Sequence, residues 1–301
     1  MTDHNLTLDI LCAGHACYDL VFQIDHHPVA DEKIFAQNFL SAGGGPAANA
    51  AIAISRLGLT AGFAGYLGQD IYGQLHYQEF IDAEIDTHLL IRGKSPTPLS
   101  AILVKPNGQR ALVNYKGQTT PLSANALDFS SLSCKAVLFD GHEPEISVKL
   151  ADFCRQYKIP SVLDAGSVHK GTLALMEKVD YLVCSEKFAR HFADSPEKAL
   201  NHLAHKSPVT VITLGEKGLI WQKEGNKGHL PAFSVNAVDT TGAGDAFHAA
   251  FTVALVRQMD WQSTLYYASA AGALCCTQPG ARPGLVTQSE LNSFLKKENR
   301  L

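Results

Sequence analysis

The chain has 301 residues, of which 46% are hydrophobic, and 25 Lys and Arg against 29 Asp and Glu give it a net charge of −4. This apolar content is enough to fill the core of a folded domain, which excludes an intrinsically disordered chain. The near-neutral charge, without a run of five like charges, argues against binding to nucleic acid or a membrane surface. A small-molecule ligand is therefore expected.

The seven cysteines have no Cys-x-x-Cys spacing and are interpreted as reduced thiols, which predicts a cytoplasmic location. The first residues lack the basic region of a signal peptide. Every apolar run is interrupted well before the ~18 residues that a membrane-spanning helix needs. The sequence predicts neither export nor a membrane span.

Short apolar or β-branched runs alternate with helical stretches, a pattern typical of a parallel sheet covered by helices on both faces. One helix is predicted over 46–57, with Pro46 at its start and Gly58 after its end. Thr287 and Glu290 form a capping box that predicts another helix near the carboxyl end. The predicted strands of this α/β body are 10–12, 136–139, 162–163, 181–183 and 209–214.

Two other segments have the alternation of antiparallel strands. In 16–24, Asp19 is the one carboxylate on its face, and 99–115 turns at Asn107-Gly108, a strong hairpin signal. These segments predict a small β-sheet added to the body, with strands inserted at about 15–40 and 97–118. No repeat or flexible linker interrupts the chain, so residues 1–301 are expected to form a single domain.

The most specific motif is Val-Asp-Thr-Thr-Gly-Ala-Gly-Asp-Ala-Phe at 238–247. A strand is expected at 233–238 and a helix is expected to begin within the motif. Glycines at such a junction bring free N–H groups and the positive end of the helix dipole towards a bound phosphate. Asp245 would lie in the first helical turn, where a carboxylate can take a proton from an attacking hydroxyl.

A second glycine loop, Ala-Gly-Gly-Gly-Pro-Ala-Ala-Asn at 42–49, leads into the predicted helix over 46–57. Such a loop can approach the hydroxyl groups of a sugar, and the Asn49 amide can both donate and accept hydrogen bonds. On this motif alone, a tight turn before a buried helix is an equally good explanation.

Taken together, the 42–49 loop, Gly68-x-Asp70-x-x-Gly73 and the 239–247 motif resemble the two signatures of the PfkB carbohydrate kinases, members of the ribokinase-like superfamily. The resemblance extends from about residue 10 to 295. It implies a ribokinase-like three-layer α/β/α body with a mainly parallel sheet and a small β-sheet lid. Within the superfamily, the chain most resembles the ketohexokinase and sulfofructose-kinase branch.

The resemblance implies an ATP-dependent kinase for a sugar hydroxyl, with a ketohexose as the candidate substrate. It assigns Asp245 as the general base and the backbone of Gly242, Ala243 and Gly244 as an anion hole. The residues that it implies for sugar binding are Asp19, Gly43, Gly44 and Asn49. Asn114 on the predicted hairpin is a further candidate for a sugar contact, and a strand residue that faces solvent is an equally good interpretation of it. The residues that it implies for the nucleotide are Thr213, Gly215, Gly218, Ser269 and Gly272.

One departure from the family concerns Mg²⁺, the ion that the resemblance implies together with ATP. Where the family often has Asn-x-x-Glu, this chain has Ser185-Glu186-Lys187-Phe188. Glu186 can act on Mg²⁺ through water. Alternatively, Ser185 is a helix N-cap and Glu186 complements the helix dipole. Asp239 and Thr241 beside the anion hole are the implied residues for a monovalent cation, K⁺.

Two other functions stay open from the sequence. A nucleoside kinase would need aromatic stacking, for which Tyr18, Phe22 and Phe35 are available. A sugar-binding or regulatory protein with weak catalysis is suggested by the missing Asn-x-x-Glu, although the intact Asp245 argues against it. The resemblance also allows a homodimer formed through the lid.

Overall fold

The computed structural model describes residues 6–106 and 108–300, and within them it has two sheets and ten helices. In chain order the strands are β1 (Leu6–Ala13), β2 (Cys17–Gln23), β3 (Asn38–Gly44), β4 (Ala61–Gly68), β5 (Leu90–Gly93), β6 (Leu99–Val104), β7 (Arg110–Tyr115), β8 (Leu132–Phe139), β9 (Ser161–Ala165), β10 (Tyr181–Ser185), β11 (Val209–Thr213), β12 (Leu219–Lys223) and β13 (Asn226–Leu230). The helices are α1 (Pro46–Arg56), α2 (Ile71–Asp82), α3 (Pro144–Tyr157), α4 (Lys170–Leu175), α5 (Glu186–Ala189), α6 (Pro196–Leu203), α7 (Ala243–Val256), α8 (Trp261–Cys275), α9 (Ala281–Gly284) and α10 (Gln288–Lys297).

The larger sheet has the strand order β13-β12-β11-β10-β9-β8-β1-β4-β5. Its strands pair in parallel except at one edge, where β12 is antiparallel to both β11 and β13. Alternate residues of β1 enter two different cores: Ile10 and Cys12 pack into one, Leu11 and Ala13 into the other. A strand that is apolar on both faces needs helices on both faces. The predicted three-layer α/β/α fold is confirmed.

Helix α1 begins as the sequence predicts. Pro46 occupies its first turn, and Gly45, with a φ of 99°, adopts a backbone conformation that favours glycine. The residues from Ala47 to Ile54 are all buried, because small alanine side chains let the helix pack closely against α7 and β1. Asn49 is the one polar side chain in this buried run, so it needs hydrogen-bond partners.

Strands β2, β3, β6 and β7 form the second sheet, in the order β3-β2-β6-β7, which we call the lid. The β6–β7 hairpin forms as predicted, although Asn107 of its turn lies outside the described residues. The segment 16–24 was predicted as an antiparallel strand. The prediction holds for one neighbour only, since β2 is antiparallel to β3 but parallel to β6. Between β3 and β6 the chain crosses the body, and a crossover connection can return a strand in the parallel direction.

The predicted strand over 233–238 is wrong. The structure has no strand there, and β13 ends at Leu230. The N–H groups of Val238 and Asp239 both donate to the carbonyl of Cys276, so this segment crosses a helix end and has no neighbouring strand to pair with.

Among the described helices, none is long and apolar enough to span a membrane.

Candidate active site

The central contact of the site joins two segments far apart in the sequence. The Nδ2 of Asn49, on α1, donates to the Oδ2 of Asp245, on α7, at 2.6 Å. Both side chains lie near the amino-terminal ends of their helices. The structure therefore brings the predicted base against the predicted sugar-binding loop.

Residues 239–244, which we call the anion loop, form the turn before α7 and its first two residues, and Gly242 is the helix N-cap with a φ of 81°. A Cβ at Gly242 would lie 2.6 Å from the Cβ of Ala281, so this position has no room for a side chain. Gly244 faces open space, where an added Cβ would meet nothing within 4 Å. A glycine-containing helix start with open space beside it is a suitable place for a phosphate.

The environment of Asp245 suits a general base. Burial raises its pKa to about 7, and the carboxylates of Asp164 and Asp140 act in the same direction. The hydrogen bond from Asn49 and the nearby His248 act against this rise. A carboxyl group that titrates near neutral pH is poised both to take and to release a proton.

Asp19 lies on β2, facing the glycine loop. A Cβ at Gly44 would overlap its carboxylate, so only glycine leaves room for it. Burial raises the pKa of Asp19, against a thiol hydrogen bond from Cys17 at 3.2 Å and the positive charge of Arg282. Its carboxylate is thus held beside the loop by its thiol contact within the lid, in the field of a buried cation.

The lid register extends the row that contains Asp19. Asp19 pairs with Ser100 of β6, and Ser100 pairs with Asn114 of β7, so the three side chains point to one face of the lid. Asn114 itself is exposed. From β7, Arg110 donates to the Oγ1 of Thr241, so the lid hairpin touches the anion loop directly.

Two residues of the site, Asp140 and Arg282, were not predicted from the sequence. Asp140, directly after β8, accepts the backbone N–H groups of His15 at 2.8 Å, Ala47 at 3.1 Å and His142 at 2.8 Å. It thereby fixes the loop after β1 against the start of α1. A carboxylate at the carboxyl end of a parallel strand is a recognisable signal, because ligands bind at that edge.

Arg282, on α9, is buried, and its Nε donates to the Oδ1 of Asn49 at 2.8 Å. No periodicity or motif in the sequence marks this residue, because its partners come from α1 and α2. Only the folded chain brings them together.

Three imidazole rings line the edge beside Asp140. The ring centroids of His15 and His142 are 5.3 Å apart, and those of His142 and His169 are 4.4 Å apart. Burial lowers the pKa of His15 to about 4, so this ring is uncharged at neutral pH. Burial also lowers the pKa of His169. The rings of His15 and His169 therefore offer hydrogen-bonding nitrogens at this edge.

The residues implied for the nucleotide occupy two places. Thr213 ends β11, followed by Gly215 with a φ of 61° and Gly218 with a φ of 88°. Ser269 and Gly272 lie on α8. Gly272 is buried, and a Cβ there would lie 3.1 Å from the carbonyl oxygen of Ala243, so it also lets α8 approach the anion loop closely. Their nucleotide contacts stay a prediction.

The residues implied for cations have protein partners, and their metal role stays a prediction. Glu186 forms an ion pair with Arg190, and Asp239 accepts hydrogen bonds from Thr241 and from the N–H of Gly280. Ser185 is the N-cap of α5, as the alternative interpretation expects. Across 6–106 and 108–300, no three His, Cys, Asp or Glu residues are grouped to hold a metal ion.

Comparisons with known proteins identify the family and fold of the chain. Residues 7–288 match the family model described as pfkB family carbohydrate kinase. The ribokinase of Bacillus subtilis (strain 168) is 29% identical over 95% of this chain and 99% of its own length. Fructokinase-2 of Oryza sativa subsp. japonica is 26% identical over 86% of each chain. The crystal structure of ribokinase from Thermotoga maritima superposes with a TM-score of 0.86 and 27% identity, over 96% of this chain and 99% of that one.

Proposed function

Because the chain belongs to the pfkB family of carbohydrate kinases, we propose that it transfers the γ-phosphoryl group of ATP to a hydroxyl of a free sugar, with Asp245 as the general base. The observation that carries this assignment is the 2.6 Å contact between Asn49 and Asp245. It joins the loop suited to sugar hydroxyls to the first turn of a helix suited to phosphate.

In the proposed reaction, the sugar hydroxyl gives its proton to Asp245 as its oxygen attacks the γ-phosphorus in line, and ADP leaves. The N–H groups at Gly242, Ala243 and Gly244 stabilise negative charge on the transferred group. Asp19 accepts hydrogen bonds from sugar hydroxyls that do not react. Mg²⁺ bound with ATP supplies further positive charge at the phosphates, and Glu186 is suited to reach it only through water.

A neutral sugar is the substrate class that the site supports best. The Asp19 carboxylate lies beside Gly44 and the backbone carbonyl of His15 beside Gly45, while the His15 ring is uncharged at neutral pH. The named relatives are a ribokinase and a fructokinase. Ribose and fructose, a pentose and a ketohexose, are therefore the first sugars to test.

Two of the three aromatic rings that could stack on a nucleoside base lie away from Asp19. Tyr18 and Phe22 alternate with Asp19 along β2, so their rings lie on the opposite face of the lid. There they pack against Tyr72 and Phe39. Neither ring is positioned to stack on a base held by Asp19.

Several finer features stay predictions. Stimulation by K⁺ rests on the loop of Asp239 and Thr241, and a homodimer rests on the lid. All seven cysteines are free thiols, which supports the proposed cytoplasmic location.

The test is a coupled assay of ADP release from MgATP, run with ribose, fructose, other ketoses and aldoses, and nucleosides. Sugar-dependent ADP release is expected. Release with nucleosides alone would favour the nucleoside kinase instead. Sugar binding seen by calorimetry without any ADP release across the panel would favour a binding protein.

A further inference from the structure

We propose that Arg282 is a positioning residue, which holds the Asn49 amide in the orientation that offers its N–H to Asp245 and ties the glycine loop to the same guanidinium. The proposal rests on the function proposed above, in which Asp245 is the base. Arg282 itself need not touch substrate.

The guanidinium of Arg282 is buried and has three partners from two helices. Its Nε donates to the Oδ1 of Asn49 at 2.8 Å, and its Nη2 lies 2.8 Å from the Nε2 of His76. Its Nη1 lies 3.4 Å from the Oε2 of Glu79. Burial lowers the pKa of Arg282 to about 10, so it still carries its charge at neutral pH.

The orientation of Asn49 follows from the donor and acceptor types of its neighbours. A guanidinium only donates hydrogen bonds, so it requires the amide oxygen on its side. The amide NH₂ then faces Asp245, which accepts at 2.6 Å. With the amide reversed, the NH₂ would face N–H groups and the oxygen would face a carboxylate. Guanidinium, amide and carboxylate thus form a chain polarised in one direction.

The same guanidinium reaches the sugar-binding loop. Both oxygens of Glu79 accept the N–H of Gly43, at 2.9 and 3.1 Å. The ring of His76 lies against Gly43 so closely that a Cβ there would overlap it. Arg282 therefore links the base, through Asn49, with the backbone that is proposed to approach sugar hydroxyls.

The ionisation of Asp245 is the property that reports this role. The groups around its carboxylate are Asn49 from α1, Asp140 after β8, Asp164 from β9, His248 from α7 and Cys275 from α8. Of these, only Asn49 contacts Arg282 through a hydrogen bond. Loss of Arg282 should weaken the one hydrogen bond that favours the ionised base, while the two neighbouring carboxylates still oppose ionisation.

The experiment compares the pH dependence of kcat/KM for the sugar in wild type, Arg282→Met and Arg282→Lys. For Arg282→Met we expect the acid limb to move up by about one pH unit and the sugar KM to rise roughly tenfold. Lysine keeps the charge but has a single nitrogen, which cannot replace three contacts. The pH midpoint of Arg282→Lys should therefore lie between those of wild type and Arg282→Met.

The matched control is Arg56→Met. The Nη1 of Arg56 donates to the carbonyls of Arg282 and Leu285 at 2.8 and 2.6 Å, so it supports the same segment without touching Asn49. It should lower Tm and leave the pH midpoint unchanged. If wild type is active and a folded Arg282→Met keeps its midpoint and sugar KM, the proposal is wrong. If Arg282→Met does not fold, an Arg282→Lys variant with the wild-type pH midpoint and sugar KM would also overturn the proposal. An inactive wild type would instead overturn the proposed function.

Discussion

Substitution of Asp245 by Asn removes the proposed base and little else. The new amide has nearly the same shape, and its oxygen can still accept the N–H of Asn49 that Asp245 accepts at 2.6 Å. Proton transfer by a positioned side chain contributes roughly 10²–10⁴-fold to rate. We therefore expect kcat to fall by that factor, equivalent to about 3–5.5 kcal/mol of transition-state stabilisation.

The sugar should still bind to Asp245→Asn, because Asp19 and the glycine loop are unchanged. The assay pairs coupled ADP release, for kcat, with calorimetry, for the dissociation constant of the sugar. Its control is Asp260→Asn, which changes an exposed N-cap of α8 to an equally good capping residue. Near-normal kcat in Asp245→Asn would refute the assignment of the base.

Two further predictions concern the same pocket. Asp19→Ala removes hydrogen bonds that are made in both the ground state and the transition state, at about 1.5–3 kcal/mol each, so the sugar KM should rise roughly tenfold or more with a smaller change in kcat. A raised KM for ATP instead would mean that β2 lines a different pocket. For wild type, the pKa of Asp245 is raised to about 7, and the base acts only when ionised, so kcat/KM should increase as pH rises through about 7. A rate that stays constant from pH 5 to pH 8 would contradict the assigned base.

Local signals in the sequence determined where several helices of this protein begin. Proline at the start of α1, the capping box of α10 and the glycines before α7 act within a few residues, so their effects can be read from a short stretch of chain. Apolar runs alternating with helices also indicated the α/β body, which the structure and the family match confirm.

Where neighbouring segments decide the outcome, the sequence was a weaker guide. The 233–238 segment has the composition of a strand but no partner, and strand formation needs a partner for its backbone hydrogen bonds. The strand β2 has the alternation of an antiparallel strand, yet one of its two neighbours is parallel. Alternation reports which face is buried and says nothing about the direction of the adjacent chain.

Only the tertiary structure decided which residues of the site are joined by hydrogen bonds. Asn49 and Asp245 meet across the α1–α7 packing, and Arg282 reaches Asn49 from a short helix at the other end of the chain. Asp140 is joined to the backbone of His15 and Ala47 through the order of strands in the sheet. These hydrogen bonds depend on which elements pack side by side, and burial then requires each polar group to find its partner there.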